Sequence, residues 1–423
     1  MEQFFEKISL VFKDANLRRR VLFVLGAFLI FRFLSNIPIP GIDAVRLAAA
    51  LENNQFLGLF NVFSGGGLSN LSIVMLGVGP YITASIIMQL LTVMSPRLKA
   101  MYQEEGELGR KKFSQYSRML TIPLGVIQGI GFIVLLTRQG VMQSTGVLGF
   151  ALNVIVVTAG SLLLMWIGEL ITEFGIGNGT SLIIFGGIVA RLPVTLGRVW
   201  AGFDPSQIPL FLGFAILAAG IVYAVVVVTE SERPIPITYA KRVRGQKIYG
   251  GVSTYLPLRL NQAGVMPIIF ALSILLFPQM IFTFLGSLGN ATLKSISEFV
   301  NSVMANQALY AILYFLLVFL FTYFYTAVTF DPNQIATNLQ KSGAFIPGVR
   351  PGQPTSDYVL RILTRITMVG ALFLGLIAVL PLIVRALTNI SYLAIGGTAL
   401  LIVVSVILDL VKRIDAQVSM REY

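Results

Sequence analysis

FNVFSGGGLSNLSIVMLGVGPYITASIIMQLL, residues 60–91, opens on a segment too polar and glycine-rich to cross a bilayer and runs directly into an apolar segment that can. A short, bendable piece therefore sits against a candidate spanning helix. Gly65, Gly66 and Gly67 remove the side chain at three successive positions, which admits backbone conformations other residues resist and suits a hinge or tight bend. Beyond them, Val78, Ile82 and Ile86 recur every four residues and share one helical stripe. Such a stripe packs on a helix or on lipid, or it lines a passage. The reading that organises the chain is that the polar piece closes a pore and the helix after it lines the pore.

The rest of the chain supplies the membrane. Of 423 residues 56% are hydrophobic and only 12% charged, with a mean hydropathy of +0.82, too few charges to cover a water-soluble globule. The expected fold is an all-α integral membrane protein. A bilayer core about 30 Å thick takes about 20 apolar residues per helical span. Ten such stretches lie near 21–38, 71–94, 116–137, 148–170, 180–197, 208–229, 263–286, 308–330, 362–386 and 390–410. The first is followed by FRFLSNIPIPGID where a signal peptide would carry small residues for cleavage, so it is expected to stay in the membrane. Ahead of it, Phe4, Ile8, Val11 and Phe12 share one face, the pattern of a helix lying in the headgroup region. Val318, on the eighth stretch, is expected to face lipid.

The chain has 0 Cys and 0 His. A disulfide framework, thiol catalysis, HExxH zinc chemistry, a Ser-His dyad and His-ligated haem are thereby excluded. No GxxxxGK[ST] phosphate loop is present, so energy for any transport comes from outside the chain. Neither an enzymatic activity nor a cofactor is expected.

Most of the 31 basic residues fall on one side of the ten stretches, while Arg46, Arg138, Arg191, Arg198, Lys294 and Arg385 fall opposite. By the positive-inside rule both termini are cytoplasmic. Five spans per half would require two halves, 1–200 and 201–423, inserted upside down relative to each other, with the route between them. Two cytoplasmic loops, 229–262 and 329–361, are longer than topology needs, and long ordered loops usually carry function. In the first, YAKRVRGQKIYGG reads as strand, basic turn and strand; in the second, KSGAFIPGVRPGQP reads as a stiff, turned tip. Both suit a large cytoplasmic partner, such as the polyanionic ribosome. GVIQG, 125–129, has the spacing for close helix packing, and GIGNG, 175–179, that of a tight turn before the fifth span.

Charge inside the spans separates channel from carrier. Ion-coupled carriers keep carboxylates at mid-depth, whereas Glu169, Glu173 and Asp409 lie at cytoplasmic span ends. A secondary transporter of a small solute is the alternative reading, and the aliphatic stripe argues against it.

The chain resembles the SecY/Sec61-alpha family of protein-conducting channels over nearly its whole length. The resemblance rests on FRFLSNIPIPGID (31–43), FNVFSGGGLS (60–69), GPYITASIIMQLLT (79–92) and GELGRKKFSQYSR (106–118), and continues in ITEFGIGNGTSLIIFGGIVA (171–190), the stretch from YAKRVRGQKIYGG to MPIIFA (239–271), NLQKSGAFIPGVRPG (338–352) and IGGTALLIVVSVILD (395–409). It implies a passive conduit of the cell inner membrane that threads unfolded secretory proteins and releases signal sequences and membrane helices sideways into lipid. It implies a plug at about 55–70, with Phe60, Asn61, Phe63, Ser64, Gly65, Gly66, Gly67 and Leu68. It implies a pore ring of Val78, Ile82, Thr180, Ile184, Ile269 and Ile402, and a lateral gate between the second and seventh spans, with the third and eighth beside them. The partners it implies are the small membrane subunits SecE and SecG, the motor ATPase SecA and the translating ribosome. SecA or the ribosome would be met by Arg350, Lys241, Arg242, Arg244 and Lys247. Where the family often has paired arginines, this chain has Gln246 and Lys247.

Overall fold

Asp14 opens the first helix by accepting a hydrogen bond from the Asn16 amide at 2.8 Å, and the helix, α1 (Ala15–Leu34), ends where Ser35 and Asn36 turn back onto the Arg32 carbonyl. The computed structural model describes residues 14–40, 47, 61, 64, 66–68, 70–138, 140–142, 146–201, 208–239, 242–244, 247–249, 253–286, 291–388 and 391–419. The expected headgroup helix near Phe4 and the residues Phe60, Phe63, Gly65 and Lys241 lie outside them.

The second apolar stretch becomes helical later than its hydropathy suggests, because α2 spans Gly79–Met94, with Pro80 in its first turn. Residues 71–78 are instead a chain of turns. Their backbone pairs elsewhere: Ile39 donates to the Leu71 carbonyl at 2.9 Å, and Ile73 to that of Ile37 at 3.0 Å. Those groups are unavailable to a helix.

The remaining helices are α3 (Pro96–Gln103), α4 (Gly106–Arg138), α5 (Gly146–Phe174), α6 (Gly179–Ala201), α7 (Ile208–Glu230), α8 (Met266–Leu285), α9 (Ala291–Ala305), α10 (Gln307–Thr329), α11 (Pro332–Lys341), α12 (Gln353–Thr388) and α13 (Ser391–Ser419). A helix thus lies at each of the ten apolar stretches. By length and composition, Gly106–Arg138, Gly146–Phe174, Gln307–Lys341 and Gln353–Val384 are able to cross a membrane, while Gly79–Met94, Gly179–Val194, Ala215–Glu230 and Met266–Leu275 are shorter apolar helices.

In the first half α4 packs on α2 and α5, α5 on α6, and α1 on α5 and α6; in the second, α10 packs on α8 and α12, and α13 on α12 and α7. The halves meet where α8 lies against α2 and α4 and where α13 lies against α6. Gly125 and Gly129 of α4 face Thr158 and Val154 of α5, the close packing expected of GVIQG. Outward faces carry exposed Leu29, Ile155, Ile216, Leu320 and Leu376, a lipid-like environment being the one that suits so much bare apolar surface. Val318 corrects an expectation, because it is fully buried. The buried stripe Tyr310, Tyr314, Val318 lies on the helix that packs against α8 and α12, while Ile312, Leu316 and Leu320 point out. A helix apolar all round does not reveal its inner face.

One end of the bundle carries the strands. β1 (Glu232–Tyr239) pairs antiparallel with β4 (Ser253–Arg259) from Glu232↔Arg259 to Thr238↔Ser253, while β2 (Arg242–Arg244) and β3 (Lys247–Tyr249) form a second hairpin beyond them. β5 (Ala344–Phe345), from the other long loop, pairs with β1 through Thr238↔Phe345 and Tyr239↔Ala344. Pro234 and Pro236 lie on the part of β1 that β5 does not cover, where a missing donor costs nothing. Ile235 and Leu258 from the strands, and Ile346 just after β5, bury against Val359, Ile362, Leu363 and Ile366 of α12.

Candidate functional site

Val78, at the N-cap of α2, and Ile82 one turn on, linked by the Ile82 amide donating to the Val78 carbonyl at 3.0 Å, start a buried apolar stripe that Ile86 continues. Ile184 of α6, Ile269 of α8 and Ile402 of α13 are each at most 2% exposed and belong to the same continuous cluster. Five of the six residues expected in the ring are therefore buried in one apolar cluster to which α2, α6, α8 and α13 all contribute. Thr180, four residues before Ile184 near the start of α6, is half-buried, with its amide beside Gly168 of α5. The turn before it is built from glycine: Gly177 takes φ +88, and Gly179 lies so close to the Gly168 carbonyl that no Cβ fits. GIGNG is the tight turn its sequence suggests.

On one side of this cluster lies the glycine-rich segment. Gly66 takes φ +84 and its amide donates to the Asn61 carbonyl at 2.9 Å, while Ser64 Oγ accepts from the Leu68 amide at 3.1 Å. Ser72 caps the bend, its amide and hydroxyl both donating to the Gly67 carbonyl at 2.9 and 3.0 Å. A Cβ on Gly66 would stand 3.0 Å from Cδ of Arg191, so the aliphatic stem of that α6 arginine lies over the bend. Asn61, Ser64 and Leu68 are buried, and Leu68, Leu71, Met75 and Leu76 form a second core with Phe132, Leu135 and Leu136 at the end of α4. Ile73 packs against both cores and joins the segment to the ring residues. The bend that sequence foresees is thus present; its lock under Arg191 is not foreshadowed by any local motif.

On the strand-bearing side lies a cavity of about 290 Å³ between the start of α6, the β4–α8 connection and the end of α13. Ser181, Val265 and Val406 line it, within one helical turn of Ile184, Ile269 and Ile402. Its rim is ionic but compensated, with Arg413 paired to Asp409 at 2.8 Å and Arg259 to Glu232 at 3.3 Å. Among the described residues no group of three His, Cys, Asp or Glu is placed to hold a metal.

Beside α8, the neighbouring helices α2 and α4 share a buried polar contact, Gln128 Nε2 donating to Thr83 Oγ1 at 3.3 Å. At the far end Arg138 of α4 donates to the Gly286 carbonyl after α8 at 3.3 Å. Gln128 was visible in sequence as the lone amide of an apolar span; its partner was not.

The long loops are one structure rather than two, because β5 joins the β1–β4 hairpin. Arg242–Arg244 and Lys247–Tyr249 form the basic hairpin read from YAKRVRGQKIYGG, with Arg244 opposite Lys247. Arg350 is exposed, and its backbone is clamped by the Thr355 hydroxyl, which donates to its carbonyl at 2.8 Å. The clamp fixes the backbone from which the exposed guanidinium is presented, so the tip itself need not be ordered again when a partner meets the charge.

Comparison with known proteins identifies the family and the fold. The family model described as SecY matches residues 72–411. A protein translocase subunit SecY of Escherichia coli strain K12 is 44% identical over 96% of this chain and 93% of its own length. One of Mycobacterium leprae is 42% identical over 97% of each. A solved structure described as a protein conducting channel superimposes with a TM-score of 0.66 at 17% identity, covering 95% of this chain and 92% of that one. Sec61 in a canine ribosome-channel complex from the endoplasmic reticulum gives 0.63 at 16%, covering 95% and 92%. At such identities the structures speak for the fold alone.

Proposed function

The chain belongs to the SecY family, and from that premise we infer that it is the channel-forming subunit of a protein translocase in a bacterial inner membrane. It moves unfolded secretory polypeptides across the membrane and releases signal sequences and membrane helices into lipid. The observation that supports this reading is the burial of Val78, Ile82, Ile184, Ile269 and Ile402 in one apolar cluster, with a polar cavity within one helical turn of Ile184, Ile269 and Ile402. A narrow aliphatic constriction holds water poorly, so it blocks ions when empty, and flexible side chains seal around a passing chain. Thr180 contributes at its polar edge.

In this reading ten helices cross the membrane as two inverted halves, residues 1–200 and 201–423, with both termini and the sheet cytoplasmic. The segment around Asn61–Leu68 is the plug. The gate opens where α8 leaves α2 and α4, with α10 moving beside it. SecE and SecG flank the channel, and SecA or the ribosome docks on the joined loops through Arg350, Arg242, Arg244 and Lys247, with Lys241 beside them. A carrier for a small solute is disfavoured because Glu169 and Asp409 are ion-paired, to Arg118 and Arg413, on the strand-bearing side of the bundle.

With 0 Cys in the chain, a cysteine introduced at Ile82 is its only thiol. The channel is reconstituted with SecE, SecG and SecA, and a secretory protein carrying a single cysteine is arrested midway. Disulfide formation at Ile82 that needs ATP and a functional signal sequence, and that is absent from Leu320→Cys, is expected. Absence of a crosslink at Ile82, Ile184 and Ile402 in actively translocating vesicles overturns the assignment.

A further inference from the structure

Asn261 and Gln262 sit in the connection between β4 and α8 and line the cavity on the strand-bearing side. Oδ1 of Asn261 and Nε2 of Gln262 are buried without a hydrogen-bond partner among the described residues. Asn261 is only 6% exposed, and its Nδ2 donates to the Gly264 carbonyl at 3.2 Å. That bond commits the nitrogen to the turn before α8, so the oxygen is the atom left over. Buried polar groups are ordinarily paired, and an unpaired one calls for a reason.

The surroundings narrow the reason. The charges on the cavity rim are already compensated within the protein by the Arg259–Glu232, Arg413–Asp409 and Lys412–Glu230 pairs, so an ionic ligand finds little unbalanced charge there. What remains unsatisfied among the described residues is one neutral acceptor and one neutral donor on adjacent residues, three and four residues before Val265, which with Ile269 one turn further on belongs to the apolar cluster. A peptide group is the complementary ligand: one N–H donor and one C=O acceptor, offered by every residue except proline, whatever its side chain.

Building on the channel reading, we propose that Asn261 and Gln262 form a backbone-binding station at the mouth of the constriction. Asn261 Oδ1 accepts a hydrogen bond from a peptide N–H of the polypeptide in transit, and Gln262 Nε2 donates to a peptide carbonyl. The station holds chain of any sequence, briefly, where it passes from water to the apolar ring. Because each contact is a single neutral hydrogen bond, the hold is weak enough to release at each step. It limits backward sliding between pushes of the motor.

The test uses the full channel, reconstituted with SecE, SecG and SecA in vesicles, carrying Ser405→Cys on the cavity wall as reporter. A secretory protein with one cysteine is arrested midway, ATP is removed, and loss of the Ser405→Cys crosslink with time measures backsliding. Asn261→Leu and Gln262→Leu are each expected to speed backsliding by about fivefold, the effect of one neutral hydrogen bond. Asn261→Asp keeps the acceptor but cannot donate to Gly264, and it is expected to backslide as the parent does. Backsliding unchanged in both leucine variants overturns the proposal. So does Asn261→Asp behaving like Asn261→Leu, which would assign Asn261 to the turn alone. Gln262→Leu keeps the test open where Asn261→Leu fails to fold, since no hydrogen bond of the turn involves the Gln262 side chain. No crosslink at Ser405→Cys in the parent during ATP-driven translocation overturns the channel reading itself, a different result from a crosslink that the substitutions leave unchanged.

Discussion

Replacing Ile184 by asparagine puts an amide in the middle of the constriction. Ile184 is 1% exposed and packed within the cluster that holds Val78, Ile82, Ile269 and Ile402. Losing a fully buried isoleucine removes about 1.5–3 kcal/mol of apolar burial. An amide without a partner there adds about 1–3 kcal/mol. Water entering there relieves the unpaired amide and no longer has to displace the isoleucine from its apolar contacts, so together the hydrated arrangement gains about 2.5–6 kcal/mol relative to the dry one, a shift of about sixtyfold or more at about 1.4 kcal/mol per tenfold. The resting channel should therefore leak. Ion efflux from vesicles loaded with potassium chloride, in the absence of SecA and substrate, reads the leak directly. Leu320→Ala, on the outward face of α10, serves as control because its side chain is exposed and touches neither core. Efflux from Ile184→Asn equal to that of the parent, in protein that purifies and reconstitutes normally, would refute the argument that this cluster is the seal.

Three further outcomes follow from other parts of the molecule. Gly66→Ala forces an L residue into φ +84 with its Cβ 3.0 Å from Arg191 Cδ, a cost of about 1–2 kcal/mol, so efflux should rise roughly tenfold in the same assay while thermal stability hardly changes. Gly179→Ala has no such escape, because a Cβ there meets the Gly168 carbonyl of a packed helix rather than a flexible side chain; a melting temperature equal to the parent's in detergent would show that the α5–α6 turn is looser than described. Thr355→Val removes the hydroxyl that donates to the Arg350 carbonyl at 2.8 Å, and it should weaken stimulation of SecA ATPase about three- to tenfold through loss of a roughly 1 kcal/mol hydrogen bond that positions the tip, with folding intact.

The architecture was legible in the sequence where composition alone decides it. Ten apolar stretches each hold a helix, because an apolar run of that length has few other ways to satisfy its backbone in lipid. Spacing singled out Val78 and Ile82, but that Ile184, Ile269 and Ile402 share a buried cluster with them was reachable only through resemblance, since three other helices supply those residues and no spacing within one helix announces the others. Local chemistry misled in two places. Residues 71–78 have the hydropathy of a helix, but their backbone pairs with 37–39, a contact between segments far apart in sequence. Val318 looked like its neighbours because α10 is apolar on every face, and only packing against α8 and α12 singles out the inner one. The pairing of β5 with β1 was invisible for the same reason, being a two-residue strand reaching a hairpin about a hundred residues earlier in the chain.

That pairing bears on how a partner at the loops is felt inside the bundle. β1 follows directly from α7, β5 stands between α11 and α12, and β4 runs through residues 260–265 into α8. The sheet therefore ties α8, the helix of the second half that lies against α2 and α4, to a platform that α12 also supports through Ile235, Leu258 and Ile346. A force on the platform must either bend the connection at 260–265 or move α8 relative to α2 and α4, and Gly264, at φ +59, with the Asn261–Gly264 bond, is where that connection turns. Thr238→Cys with Phe345→Cys decides between a platform that acts as a unit and loops that act separately. These residues face each other in the antiparallel register, and Cα atoms of such pairs stand about 4.5–5.5 Å apart, within disulfide reach. If the sheet moves as one body, the oxidised double variant translocates at the parent's rate. If the loops must separate for SecA to work, oxidation stops translocation and reduction restores it, and the coupling of the platform to α8 as drawn here fails.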